Sequence, residues 1–502
     1  MMGKIYRLKI TIFYLFAGLT FVVLLSTVAV SNTIKLDPSD TMEDVIGKAE
    51  QVTPSPQQLA WQQVEFAAFI HFGMNTFTNK EWGDGTEDPK LFNPADLDAT
   101  QWMRVFKDAG IKMVILTAKH HDGFCLWQSK YTEHSVKNSP WREGRGDVVK
   151  EVSDAARKAG IKFGVYLSPW DRHEKTYGTP AYNEYYKNQL RELLTNYGEI
   201  SEVWMDGACD TEHDVRCGKM RYDLEGIFKL VRELQPNVVI AIIGPDVRWV
   251  GNEAGKNRES EWSVAPENAD QMAADIGSRE KLLEAAKGGA NIKWYPAEVD
   301  VSIRPGWFYH PMEDYFVKPL NKLLDIYYGA VGGNAQLLLN VPPDRRGLIH
   351  KNDAQVLRAL GRSLSKTFSE NLALHASAKA SAVRGGGAEY SADKTVDDDN
   401  DTYWTTDDGV TTAAIEYDLG APRTFNVAML QEHIKTGQRV EEFYFEVWDG
   451  VGWKQVAAAT TIGYKRLLRF DTVTAQRVRI RIIRSRVCPT LSNFGLFNSN
   501  KK

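Results

Sequence analysis

From Gln62 onward, short apolar runs alternate with longer stretches in which apolar residues recur at helical spacing. The runs predict strands at 66–70, 113–117, 163–167, 202–205, 238–243, 294–297 and 336–339. The amphipathic stretches predict helices at 99–109, 147–159, 181–197, 224–234 and 278–286. Asp98 before and Gly110 after the 99–109 helix, and Gly160 after the 147–159 helix, are suitable starts and stops. Strands alternating with helices imply a parallel sheet with right-handed crossovers. About eight such units in roughly 300 residues suit a (β/α)8 TIM-like barrel better than an open doubly wound sheet. The eighth strand has no clear signal.

After an amphipathic stretch at 354–368 the rhythm changes. Gly385-Gly386-Gly387, an acidic run at 397–401 and short β-rich segments at 413–417, 428–430, 443–447, 466–470 and 478–483 follow, with no long helical pattern. This predicts an all-β sandwich, of jelly-roll or galactose-binding-like type. The acidic run has the oxygen ligands calcium takes; a solvated turn is the expectation. At the other end, Lys4, Arg7 and Lys9 precede an apolar run that closes on Ser31 and Asn32, the order of a secretory leader. The expected boundaries are a leader over 1–31, a polar linker over 32–55, a catalytic barrel over 56–368 and a β-sandwich over 369–502. A secreted or periplasmic protein follows, touching a membrane only through the leader if it is uncleaved.

Composition narrows the function. Sixty-one basic residues against 65 acidic ones give a net charge of −4, and no basic stripe points to nucleic acid. Fourteen Trp, 20 Tyr and 21 Phe form a high aromatic load, which suits stacking on sugar C–H faces and core packing alike. The four cysteines fit neither a disulfide scaffold nor a zinc pattern. Cys209 and Cys217 are close enough for a short bridge; free, partly buried thiols are the expectation.

The unusual residues lie at strand ends. His71 follows the first predicted strand, His120 and His121 the second, Trp170 the third and Asp206 the fourth. Glu253 follows the fifth and Glu298 the sixth. All C-terminal strand ends of a barrel open on one face, so these side chains would converge. An apolar strand ending on a carboxylate is costly unless the acid has work to do. Asp206 and Glu253 are therefore candidate catalytic carboxylates of a glycoside hydrolase, with Glu298 the rival for the second place. Neighbouring strand residues point to opposite faces, which argues against His120 and His121 sharing a metal; neither a metal nor a cofactor is expected. No Gly-x-Ser-x-Gly elbow is present.

Several segments resemble the family 29 glycoside hydrolases, the α-L-fucosidases. They are Phe69-Ile70-His71-Phe72-Gly73, Glu81-Trp82, the stretch from Ala118 to Phe124, Trp127 to Val136, Tyr166 to Trp170, and Leu338 to Pro343. The resemblance implies a retaining exo-α-L-fucosidase with Asp206 as nucleophile. It implies that His71, Glu81, Trp82, His120, His121, Tyr166 and Trp204 bind fucose. Arg248 to Glu253 is similar to the acid/base segment of the subgroup acting on α-1,3/1,4-linked fucose, which implies Glu253 as general acid/base and Lewis-type branched substrates. Glu298, with Arg304 and Trp307, would then position substrate. The expected partners are fucosylated oligosaccharides or glycoprotein glycans. Thr395 to Thr405 resembles discoidin or factor V/VIII type C domains, where Trp404 is expected in the core. A sugar-binding protein on a catalytically dead barrel and a glycosidase of another sugar are the alternatives.

Overall fold

The computed structural model describes residues 33–499; the expected leader lies outside the described residues. Eight parallel strands form the barrel: β1 Phe66–Ile70, β2 Met113–Lys119, β3 Lys162–Leu167, β4 Glu202–Met205, β5 Val239–Ile242, β6 Arg248–Trp249, β7 Ala297–Ser302 and β8 Ala335–Asn340. Hydrogen bonding runs β5-β4-β3-β2-β1-β8-β7-β6, and a parallel bridge between Ala241 and Val247 joins the two ends. Helices follow every strand except β5.

That exception explains the strand the sequence hides. A short turn takes the chain from β5 straight into β6, a strand of two residues, too short for any periodic pattern. Ile242 ends β5 at φ 72°, a left-handed conformation that β-branched residues rarely take. Glu253 therefore follows the sixth strand, not the fifth. The strand expected at 294–297 is two elements. Asn291–Trp294 pairs antiparallel with Ile34–Lys35 and with Val264–Pro266, outside the barrel, and β7 begins only at Ala297.

The segment expected as a polar linker is folded. Thr41 caps a helix over Met42–Ala49 through a reciprocal capping box with Asp44. Val45, Ile46 and Ala49 bury against Val264, Leu282, Ile292 and Trp294. The helix Leu320–Ala330 carried no prediction, and the last barrel helix starts at Lys351 rather than 354.

Side-chain alternation sorts the barrel strands into two faces. Outward residues such as Ile70, Leu116, Val165, Val203 and Val299 pack under the helices in the main core. Inward residues Ala67, Phe69, Ile115, Tyr166, Trp204, Ala241 and Leu338 fill the barrel, with Trp61 at its base.

The C-terminal domain is antiparallel. Two long strands, Ala413–Gln431 and Arg466–Ser485, pair along their length with register breaks near Asp418/Arg423 and Phe425/Val427. Each expected pair of short segments is thus two parts of one bent strand. Val440–Trp448, Trp453–Ala459, Ser377–Ala380 and Asn493–Phe497 complete the sheet. Trp404 is fully buried and donates Nε1–H to Ala382 O at 2.9 Å. In the acidic run Asp397 and Asp399 accept from the backbone N–H two residues on, which makes successive turns.

Candidate active site

A cavity of about 740 Å3 opens at the C-terminal ends of the barrel strands. Alternation puts it there: Glu202, Trp204 and Asp206 point inward at successive levels of β4 and just beyond, as do Phe69 and His71 at the end of β1. His71, Glu81, Trp82, His120, His121, Tyr166, Trp204, Asp206, Glu253 and Trp307 all line this one cavity.

Asp206 is held on both oxygens. Tyr166 donates its hydroxyl to Oδ2 at 2.9 Å, and Ala208 N–H donates to Oδ1 at 2.8 Å. Tyr166 stacks on Trp204 with centroids 5.3 Å apart. Trp204 donates Nε1–H downward to Glu298 at 2.7 Å, which leaves its ring as cavity floor.

Three buried imidazoles make the adjoining wall. His71 Nδ1 lies 2.9 Å from Asn340 Oδ1. The amide of Asn340 is oriented by Trp307 O and Ser302 Oγ, both of which accept from its Nδ2. Oδ1 therefore faces His71, the proton sits on His71 Nδ1, and Nε2 keeps its lone pair. The same logic applies to His121. Ser168 spends its hydroxyl proton on Trp170 O and accepts from His121 Nδ1 at 2.7 Å. His121 Nε2 then stands as an acceptor 3.7 Å from Asp206 Oδ2. Burial lowers His71 to about 3 and His121 to about 4, and holds His120 well below the ordinary histidine range. Neutral imidazoles with free lone pairs suit the hydroxyls of a sugar. His120 and His121 both face the cavity, with centroids 4.1 Å apart. The expected opposition of their side chains fails because β2 ends at Lys119 and the chain turns.

Across the cavity, Glu253 accepts from Trp307 Nε1 at 3.3 Å and is otherwise exposed. Glu81 works from behind: it accepts from Trp307 N at 2.8 Å and Phe308 N at 3.1 Å, and pairs with His310 Nε2 at 2.6 Å. It thereby fixes the loop that carries Trp307. Trp249 and Asp300 join this side of the wall, with Trp249 Nε1 donating to Asp300 Oδ1 at 2.7 Å.

The α-L-fucosidase family profile matches residues 86–367, more than half of the chain. The chain belongs to the α-L-fucosidase family, glycoside hydrolase family 29. An F5/8 type C domain profile matches residues 377–491. Alpha-L-fucosidase 1 of Arabidopsis thaliana is 46% identical over 451 residues, 88% of this chain and 87% of that one. The crystal structure of a putative α-L-fucosidase from Bacteroides ovatus superposes with a TM-score of 0.83 at 46% identity, covering 94% of this chain and 78% of that one. A Ruminococcus gnavus family 29 fucosidase in complex with fucose superposes with a TM-score of 0.80 at 34% identity, covering 93% and 99%.

Two expected substrate contacts of this fucosidase do not line the cavity. Glu298 is the second residue of β7 and points into the barrel one layer below the floor, with no solvent exposure. It accepts from Trp204 Nε1 and Gln336 Nε2, near the equally buried Glu202. Arg304 is fully buried and clamped by Asp353 at 2.9 Å and Asp314 at 3.0 Å, tying the loop after β7 to the last barrel helix. The residue of β7 that does line the cavity is Asp300, two positions on and on the same strand face as Glu298. The one signal for it was strand parity, and that needs the true start of β7, which the sequence misplaced. Tyr295 and Gln271 also line the wall unannounced.

The loop directly after Asp206 is cross-linked. Cys209 and Cys217 form a disulfide, with Cα atoms 5.7 Å apart, rather than free thiols. A turn over Asp210–Cys217 folds the two cysteines back on each other, which their spacing alone could not show.

Proposed function

We propose that this fucosidase is a retaining exo-enzyme in which Asp206 is the nucleophile and Glu253 the general acid/base. The observation that carries this reading is that the two carboxylates line one cavity, from different strand ends, together with three neutral imidazoles. Asp206 attacks the anomeric carbon of fucose while the departing oxygen takes the proton of Glu253. Water then attacks the fucosyl–Asp206 ester, gives its proton to Glu253, and Asp206 leaves as carboxylate. His71, His120, His121 and Tyr166 would receive or donate hydrogen bonds to the sugar hydroxyls, and Trp204 would face its apolar side. Glu81 would act by holding Trp307 in place.

The substrate we infer is α-1,3/1,4-linked fucose on a branched, Lewis-type oligosaccharide. Supporting this are the Arg248–Glu253 segment and the aromatic rings of Trp249, Tyr295 and Trp307 around the cavity, which offer stacking faces to a second sugar ring. Export is inferred from the order of the leader residues and agrees with the Cys209–Cys217 disulfide, since disulfides persist in oxidising compartments.

The test pairs two variants with two substrates. Asp206→Ala should abolish turnover of every fucoside. Glu253→Gln should abolish hydrolysis of a Lewis trisaccharide yet spare kcat/KM on an aryl fucoside with a very acidic leaving group. Early proton spectra of the released fucose should show the retained anomer, and wild type should prefer the Lewis trisaccharide to 2'-fucosyllactose. Unchanged turnover in Asp206→Ala, or inversion, would remove the mechanism.

A further inference from the structure

The general acid assigned above rides on a long connection between β6 and β7, and the far end of that connection is gripped by the C-terminal β domain. Near Glu253 the connection has mainly local support. Asn252 Oδ1 accepts from Ala254 N at 3.0 Å, and its Nδ2 donates to Lys256 O at 2.9 Å. Gly251 adopts φ 96°, and a Cβ there would fall 2.0 Å from Gln271 O, so the turn admits only glycine and lies directly on the cavity wall.

From Glu259 to Ser263 the partners come from the β domain. Glu259 O accepts from Thr460 Oγ1 at 2.7 Å and Arg466 Nη1 at 3.0 Å. Glu261 N donates to Thr461 Oγ1 at 3.1 Å, and Glu261 O accepts from Gln438 Nε2 at 2.9 Å. Gln438 Oε1 accepts from Ser263 N at 2.8 Å, and the Arg486 guanidinium lies 3.4 Å over the Trp262 ring. Thr461, Gln438 and Glu261 are buried. Glu261 passes the constraint on to the barrel: its carboxylate pairs with Arg248 of β6 and with Arg258, and Arg258 donates Nη2–H to Gln271 O. Both ends of the Glu253 turn and one cavity-lining residue thus depend on where Glu261 sits.

We propose that the β domain is a positioning element for the acid/base: through Gln438 and Thr461 it fixes Glu261, and Glu261 fixes the turn that presents Glu253 to the leaving group. The role rests on the reading of Glu253 as acid. It differs from sugar capture by an appended module, and it predicts a defect that a general loss of stability would not produce.

In the full-length protein, Gln438→Leu and Thr461→Val should each lower kcat/KM on a Lewis trisaccharide on the order of ten-fold, since misplaced catalytic groups lose rate steeply. The same variants should hold kcat/KM on an aryl fucoside with an acidic leaving group within about two-fold, because that leaving group needs no proton in the first step, the one kcat/KM reads. Thr461→Ser, which keeps the hydroxyl, should restore the trisaccharide rate. Thr460→Ala carries the same test if Gln438→Leu does not fold. A parallel fall on both substrates, or no fall on either, would overturn the role. Glu253→Gln run alongside separates the two ideas. If it shows the substrate split and the β-domain variants do not, only this inference falls; if it lacks the split, the acid assignment falls and takes this role with it.

Discussion

Tyr166 donates its hydroxyl to Oδ2 of Asp206 across 2.9 Å, from a ring that is itself buried and stacked on Trp204. The pair joins adjacent strands β3 and β4, so the orientation of the carboxylate is set by barrel register rather than by a loop. Tyr166→Phe keeps the stack and removes the donor. A hydrogen bond to a charged group contributes about 1.5–3 kcal/mol, so kcat/KM on an aryl fucoside should drop roughly ten- to a hundred-fold. Circular dichroism should be unchanged. A drop below two-fold would mean that Ala208 N–H alone is enough to hold Asp206.

The buried titratable groups predict how stability varies with pH. Burial lowers His71 to about 3 and His121 to about 4, whereas an unfolded histidine titrates near ~6.5. Between those values the unfolded chain binds more protons, so stability falls as the pH falls. Glu202 and Glu298 act in the opposite sense. Burial raises both above the ordinary glutamate range, and the charge of Glu202 beside it raises Glu298 further. An unfolded glutamate gives its proton up near ~4.3, so this pair lowers stability as the pH rises above that value, until the folded pair ionises. Thermal melting across pH should show His71→Asn flattening the acid side of the profile and Glu298→Gln flattening the alkaline side. Glu298→Gln still offers Trp204 Nε1 an acceptor, so its KM should stay close to wild type. A large rise in KM would give Glu298 a direct role after all.

The Cys209–Cys217 disulfide closes a short loop that begins two residues after the cavity-lining Gly207. Chain-entropy arguments assign a loop of this length about 2–3 kcal/mol. Reduction, or the double Cys→Ser variant, should lower the melting temperature by several degrees. The loop also carries Asp214, which accepts from Trp170 Nε1 at 3.1 Å, and Trp170 packs on His121. KM should therefore rise as well. An unchanged KM would confine the bridge to a stabilising role.

Periodicity alone was enough to identify the barrel, because the helices after six of its strands leave repeating apolar signatures. It also placed His71, His120, His121 and Asp206 at strand ends, where a parallel barrel must gather them. The sugar came from local motifs, which survive in one dimension, and so did the expectation that Arg248–Glu253 carries the acid. What the chain could not reveal were features set by neighbours distant in sequence. The two-residue β6 exists because β7 offers it a partner, and the helix over Met42–Ala49 because Trp294 and Val264 bury its apolar face. Glu298 and Asp300 share a strand face and differ only in depth. The start of β7 decides which of them meets the cavity, and that start is set by its pairing with β8 across register. The grip of Gln438 and Thr461 on Glu261 spans about 175–200 residues of chain. Contacts of that kind leave no local pattern, since each partner satisfies its backbone hydrogen bonds only once both domains are folded.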